Sequence, residues 1–468
     1  MSKGYRQASV MTTTAQPAHL SGHLAPVPDE ITAFDLPIEG ALPPELSGRY
    51  FRNGPNPLPG QVTPHWFVGH GMLHGVRLRD GRAEWYRNRW VRTKSLAGEQ
   101  MIDPETGVVD RSVGVANTHV LPHAGRIMAL VESSFPYLVT PELETIGACD
   151  FDGRLTTAMT AHPKVDPVTG ELHFFGYGFM PPFVTYHRLD AKGQLVTSAE
   201  IEVPGPTMMH DFAITDRHAV FLDLPLTFQL ELLERGMPYG WDPAYGARIG
   251  IMPLATPGEV TWFDVEPGYV FHVGNAHTDA QGRVVLDGAR YAPDDVRVMW
   301  EGGSGPTDAA GAAAGAAATG FARLHRWVLD PATGRVSETA LDDRPVEFPT
   351  VDDDRVGRAA RYRYAVSQTP GRSAIVKFDA DHGGVTAHEL GTDTVGGEAV
   401  FVPSSAPDRA EDDGWLLTIT TRRDASASQL LVLDATDVAG APVAAITLPR
   451  GVPAGFHGSW IDDADLGE

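Results

Sequence analysis

Gly455-Phe456-His457-Gly458-Ser459-Trp460 places a histidine between an aromatic residue and a glycine, eleven residues from the end of the chain. Three other histidines have similarly apolar, small or acidic surroundings. They are His162 in Thr160-Ala161-His162-Pro163, His210 in Met208-Met209-His210-Asp211-Phe212, and His272 in Val270-Phe271-His272-Val273-Gly274. They lie too far apart to share a helix or a hairpin. For them to act together, the chain must close into a ring-like fold.

Turn chemistry supports such a fold. Asp80-Gly81, Asp103-Pro-Glu-Thr-Gly107, Asp152-Gly153, Asp166-Pro-Val-Thr-Gly170, Asp190-Ala-Lys-Gly193, Asp279-Ala-Gln-Gly282, Asp330-Pro-Ala-Thr-Gly334 and Asp379-Ala-Asp-His-Gly383 each begin on aspartate and end on glycine. Aspartate starts a turn by accepting backbone N–H groups, and glycine takes the positive-φ position that ends it. Each therefore reads as a hairpin tip. The flanks are short and β-rich, as in residues 83–87, 171–175, 217–222, 283–286, 322–328 and 429–433. Hairpin units along the whole chain, with no helical half, indicate an all-β protein, either a β-propeller or a large β-sandwich. No strict repeat gives a blade count.

Residues 1–33 are polar and are expected to form a flexible arm, with 34–468 a single domain. Leu226 to Arg235 is the best candidate for an amphipathic helix, as an excursion from the sheet. Residues 302–320, dominated by Ala and Gly, are expected to form a low-complexity surface loop.

The formal net charge of −23 repels a phosphate backbone and argues against broad nucleic-acid binding. The one cysteine, Cys149, rules out an internal disulfide, a Cys-rich zinc site and an Fe–S cluster. It reads as a small buried hydrophobe, and any metal must be held by His, Asp or Glu. No signal-peptide h-region and no run of 18 apolar residues is present, so a cytoplasmic protein is expected.

No Walker loop, G-x-S-x-G or H-E-x-x-H pattern occurs. His70 and His74 are spaced as a ligand pair on a helix, but glycines flank both. His119 and His123 share that spacing, with Pro122 between them. His65, His173, His187, His325 and His388 read as surface or packing residues.

Taken alone, His162, His210, His272 and His457 would each be a satisfied core histidine. Two features weigh against that. Each is followed within a few residues by Pro, Asp, Gly or Asn, as at a strand end opening onto a cavity. In addition, three glutamates lie in apolar settings: Glu132 in Met128-Ala-Leu-Val-Glu132-Ser, Glu347 in Pro345-Val-Glu347-Phe-Pro349, and Glu398 in Gly397-Glu398-Ala-Val-Phe-Val-Pro403. A carboxylate near a core needs a partner, and the free ring N–H of a metal-bound imidazole is one.

The chain resembles the carotenoid cleavage oxygenases, and is most similar to their bacterial, actinobacterial-type members. The matching stretches are Gly48-Arg-Tyr-Phe-Arg-Asn-Gly-Pro-Asn-Pro57, His65-Trp-Phe with Gly71-Met-Leu-His-Gly75, Tyr86-Arg-Asn-Arg-Trp-Val-Arg-Thr93, the four histidine segments, Arg344-Pro-Val-Glu-Phe-Pro349, and Glu398-Ala-Val-Phe-Val-Pro403 with Glu411-Asp-Asp-Gly414. They keep the family's order from about residue 35 to 460.

The resemblance implies a seven-bladed β-propeller with a loop-and-helix cap over its top face. It implies ferrous iron, Fe(2+), on the axis, held by His162, His210, His272 and His457. Glu132, Glu347 and Glu398 would orient His210, His272 and His457 respectively, leaving His162 without a carboxylate. Four neutral imidazoles suit Fe(II) and leave coordination positions open. The implied reaction is a dioxygenase cleavage of one C=C bond of a carotenoid or apocarotenoid by O2, giving two carbonyl products.

Stilbene-cleaving members place a lysine immediately before the first of these glutamates, where this chain has Val131. An apolar polyene is therefore expected over a lignostilbene-type phenylpropanoid. A non-catalytic, ligand-binding propeller is the alternative of another class. The aromatic run from Phe174 to Phe183 reads either as tunnel lining or as strand core. An apolar patch near Pro225 to Leu233 would give peripheral membrane contact, weakened by Glu231 and Glu234.

Overall fold

The computed structural model describes residues 17–235, 237–302 and 321–466. The β-rich segments pair into seven antiparallel sheets arranged as the blades of a propeller. Blades 2 to 6 run in chain order from inner to outer strand, starting at His119–His123, Lys164–Val165, Phe212–Ile214, Tyr269–Thr278 and Glu347–Thr350. Inner strands touch around the ring: Phe212–Ile214 meets Tyr269–Thr278, which meets Glu347–Thr350.

Both ends of the chain close the ring. Blade 1 takes the C-terminal strand Gly458–Asp462 as its inner edge, beside Gly48–Pro55, and Thr32–Phe34 as its outer edge. Blade 7 contains Val400–Pro403, Gly414–Arg422, Ser428–Asp434 and Ala444–Thr447, and Ile38–Gly40 is its outer strand. Its inner strand Val400–Pro403 contacts Gly458–Asp462. The C-terminal strand can come in this close because its neighbours lack side chains. A Cβ on Gly455 would lie 2.7 Å from the Asn53 carbonyl oxygen, and one on Gly54 2.8 Å from the Gly455 Cα.

Apolar alternation on each blade is used between blades. Tyr50, Val76 and Leu78 of blade 1 pack against Leu417, Ile419 and Leu430 of blade 7. Burying such side chains contributes about 2 kcal/mol each. Six of the eight Asp…Gly turns are hairpin tips, with glycines at positive φ as at Gly81 and Gly334. The other two differ. Asp103 to Gly107 caps an isolated bridge between Ile102 and Val109, and Asp152-Gly153 links blades 2 and 3.

Two expectations need correcting. Residues 17–33 are docked: Leu20 and Val27 are buried, Val27 N–H donates to Asn56 Oδ1, and His23 N–H to the Arg423 carbonyl. The rest of the expected arm, 1–16, lies outside the described residues. Leu226 to Arg235 is not an α-helix. Leu226–Phe228 pairs with Tyr239–Trp241, and a 3-10 helix covers Leu230–Arg235. Its backbone is already engaged, since Phe228 N–H donates to the Pro206 carbonyl and Leu226 accepts from Met208 N–H. It does leave the sheet as expected, between the strands His218–Asp223 and Arg248–Pro253 of blade 4.

An unanticipated α-helix, Pro293–Gly302, follows the second strand of blade 5. It starts on proline with Asp294 and Asp295 in its first turn, which suits the helix dipole. Val296 and Trp300, one turn apart, are its buried face. The low-complexity loop expected over 302–320 falls, from 303 on, outside the described residues. No described helix is long and apolar enough to cross a membrane.

Candidate metal centre

His162 and His210 precede the inner strands of blades 3 and 4 by two residues, His272 lies within that of blade 5, and His457 immediately precedes that of blade 1. Four blades thus deliver four imidazoles to the axis. Ring centroids are 4.5 Å apart for His162 and His457, 4.6 Å for His162 and His210, 4.7 Å for His272 and His457, and 5.4 Å for His210 and His272. Potential ligand nitrogens of His162, His272 and His457 all lie within 4.8 Å of one another. His210 Nε2 lies outside that trio but 3.0 Å from His162 Nε2.

Each of three glutamates lies against one of these histidines. His272 Nδ1 lies 2.5 Å from Glu347 Oε2. His457 Nδ1 lies 2.9 Å from Glu398 Oε1, and Gly458 N–H donates to Glu398 Oε2 at 2.8 Å. Glu132 Oε2 is 2.6 Å from His210 Nδ1, but off the N–H axis, so the pair is an ion contact without hydrogen-bond alignment. A carboxylate only accepts, so Nδ1–H is the tautomer selected at His272 and His457. Their Nε2 lone pairs are then free for a metal.

Electrostatics follow this arrangement. Burial, and then the neighbouring imidazoles, hold His162 far below the usual histidine range. Burial also lowers His457, partly offset by Glu398. At His210 burial presses the same way, but the Glu132 carboxylate overrides it and the pKa is raised. Burial pushes Glu347 and Glu398 up, yet their imidazole partners more than compensate, and both sit below the ordinary carboxylate value.

Sequence reasoning missed several neighbours. Asp211, next to His210, is buried and accepts from Lys164 Nζ, Val273 N–H and its neighbour Phe212 N–H, each at 2.7 Å. One carboxylate thus ties together the chain beside three of the histidines. Phe348, at φ 52°, stacks on His272 at 4.8 Å and lies edge-on to His457 at 5.2 Å. An aromatic wall runs from Phe456 to Phe67 at 5.4 Å, from Phe67 to Phe271 at 6.4 Å, and from Phe271 to Trp300 at 6.0 Å. Phe271 also lies 5.4 Å from His210. No spacing pattern links Phe67, Phe271, Trp300 and Phe456, because they come from four separate segments. In the run considered for that role, Phe174 and Phe175 are instead fully buried strand core.

Two of the set-aside histidines bond to tyrosines in the strand core. His74 Nδ1 meets Tyr86 Oη at 2.8 Å, and His173 Nδ1 meets Tyr186 Oη at 2.7 Å. His74 lies on an extended strand, where its spacing of four from His70 does not pair ligands, and His173 lies on another. Cys149 is half-buried against a core cluster, and burial raises its thiol pKa.

A seven-bladed propeller with buried imidazoles gathered on its axis defines a propeller oxygenase. The chain belongs to the retinal pigment epithelial membrane protein family, whose model matches residues 24–462. It is 39% identical to a carotenoid cleavage oxygenase of Mycobacterium tuberculosis, over 96% of this chain and 99% of that one. It is 33% identical to carotenoid 9,10(9',10')-cleavage dioxygenase 1 of Arabidopsis thaliana, over 98% of this chain and 93% of that one. Among solved structures, it is similar to the lignostilbene dioxygenase of Pseudomonas brassicacearum, with a TM-score of 0.82, 29% identity, and coverage of 96% and 99%.

Proposed function

We propose that this protein is a non-haem Fe(II) dioxygenase that cleaves one C=C bond of a carotenoid or apocarotenoid with O2 to give two carbonyl products. The observation that carries the reading is the meeting of His162, His210, His272 and His457 on the axis, two with their outer ring nitrogens hydrogen-bonded to glutamate. An all-imidazole donor set fits Fe(II), as its neutral ligands leave the ion's charge uncompensated. When bound, the iron supplies the redox chemistry that lets O2 add across an electron-rich alkene.

The chain's own residues do the rest. Glu347 and Glu398 hold the Nδ1–H bonds of His272 and His457, so both rings keep one orientation and one tautomer. Phe67, Phe271, Trp300 and Phe456 form an apolar surface beside the histidines that excludes water and holds a polyene. Fixing the polyene against this wall selects which bond reaches the centre. Val131, immediately before Glu132, offers no hydrogen bond to a phenol. Leu230 and Leu233, 70% and 48% exposed on the 3-10 helix, support contact with a lipid surface that supplies the substrate.

The likeness to a lignostilbene dioxygenase keeps a stilbene as the second reading. Incubation with β-carotene, an apocarotenal and resveratrol, followed by product mass spectrometry, separates the two. Paired carbonyl fragments from a polyene are expected, and loss of resveratrol alone would overturn the substrate assignment. Metal analysis that finds no stoichiometric iron would instead favour a propeller that only binds a ligand.

A further inference from the structure

Blade 2 brings a fifth imidazole to the axis. In blades 1, 3, 4 and 5 one of the four histidines lies at or near the inner strand, and in blades 6 and 7 Glu347 and Glu398 do. In blade 2 this position is His119, the first residue of His119–His123. Its ring centroid lies 5.2 Å from that of His457 and 6.3 Å from that of His162.

The contacts of His119 point to the backbone of the site. Its Nδ1 lies 2.8 Å from the carbonyl oxygen of Ala161. A carbonyl only accepts, so Nδ1 carries the hydrogen and donates. That carbonyl belongs to the peptide unit joining Ala161 to His162. The N–H of the same unit donates to Thr160 Oγ1 at 3.2 Å. Both polar groups of the peptide plane are therefore held, and with them the direction of the His162 side chain. On the other side, the residue before His119 supports His457, since Thr118 accepts from His457 N–H at 3.2 Å. Asn53 closes the link, donating its side-chain N–H to the His119 carbonyl at 3.0 Å and its backbone N–H to the His457 carbonyl at 2.9 Å.

We propose that His119 is a positioning residue: by donating Nδ1–H to the Ala161 carbonyl it fixes where His162, the histidine with no glutamate assigned to it, stands relative to His457. The proposal rests on the reading that the four histidines hold a metal. His119 acts through the Ala161–His162 peptide and not as a ligand.

The test is Co(II) titration of the metal-free full chain, read by its visible absorption bands, for wild type, His119→Leu and His119→Asn. Asparagine keeps an N–H donor near the Nδ1 position and leucine does not. Leucine is expected to weaken Co(II) binding roughly tenfold or more, in the range seen when a ligand's supporting partner is lost, and to shift the absorption bands. Asparagine is expected to restore most of both. If leucine prevents folding, His119→Ala takes its place in the comparison. Wild-type affinity and spectrum in the leucine or alanine variant would overturn the proposal, as would equal impairment by leucine and asparagine. Wild type that binds no Co(II) overturns the four-histidine reading itself, and the role of His119 with it.

Discussion

Glu398 joins the last blade to the first at the histidine cluster: one oxygen faces His457 Nδ1 at 2.9 Å and the other accepts Gly458 N–H at 2.8 Å. The carboxylate is buried, and its partners lie 59 and 60 residues away at the start of the C-terminal strand that closes the ring. One side chain therefore serves both the orientation of an imidazole and the closure of the propeller.

Glu398→Gln keeps the size of the group but removes the charge that holds the His457 tautomer. Iron affinity is expected to fall roughly 10- to 100-fold. Competitive titration against a chelator measures it. Unchanged affinity would show that Glu398 serves closure alone.

Replacing a histidine separates the site from the scaffold. His162→Ala is expected to abolish stoichiometric iron with modest change in stability. His173→Ala, which removes a fully buried ring bonded to Tyr186, is expected to do the reverse: stability falls by about 2–4 kcal/mol while iron remains. Metal content and thermal unfolding of the two variants should show this crossed pattern.

Asp211→Ala should affect both properties. It leaves Lys164 Nζ without its carboxylate and frees the Val273 N–H. Lys164 is partly exposed and can turn to solvent, so the loss comes chiefly from the freed backbone N–H groups and is expected to be about 1–3 kcal/mol. Because Asp211 ties the chain beside His162, His210 and His272, iron retention is expected to drop as well. A variant as stable as wild type by denaturant titration would refute the tie.

Ring closure carries a pH signature. Asp463 accepts from Arg49 Nη1 at 2.9 Å, Arg77 Nη2 at 2.8 Å and Ser47 Oγ at 2.8 Å. Burial raises its pKa, but the Arg77, Ser47 and Arg49 interactions outweigh that and hold it below the ordinary value. A folded-state pKa below the unfolded one stabilises the fold fully above the unfolded value, about pH 4. That contribution is lost as pH falls through the folded value. Between pH 6 and 3 the wild type is therefore expected to lose stability more steeply than Asp463→Asn. Parallel melting-temperature curves would refute it.

The sequence by itself determined the local chemistry. Asp…Gly turns specified hairpins because a side-chain acceptor and a positive-φ glycine act within a few residues. Each of the six short β-rich runs named from sequence falls on a strand, four of them beginning one residue before it. Four histidines and three glutamates could be named because their flanking segments match the family's in kind and order. Tertiary structure alone decided which distant residues meet. His119 read as one of a helical pair broken by Pro122, yet its strand puts it at the axis. Asp211 was only a flank until Lys164 and Val273 closed on it. Residues 17–33, polar enough to suggest an arm, are docked because Asn56 and Arg423 offer their backbone partners. The aromatic wall is invisible to any periodicity, as blade packing brings its members together from separate segments. Turns depend on neighbours in the chain, whereas a site on a propeller axis depends on the closure of all seven blades.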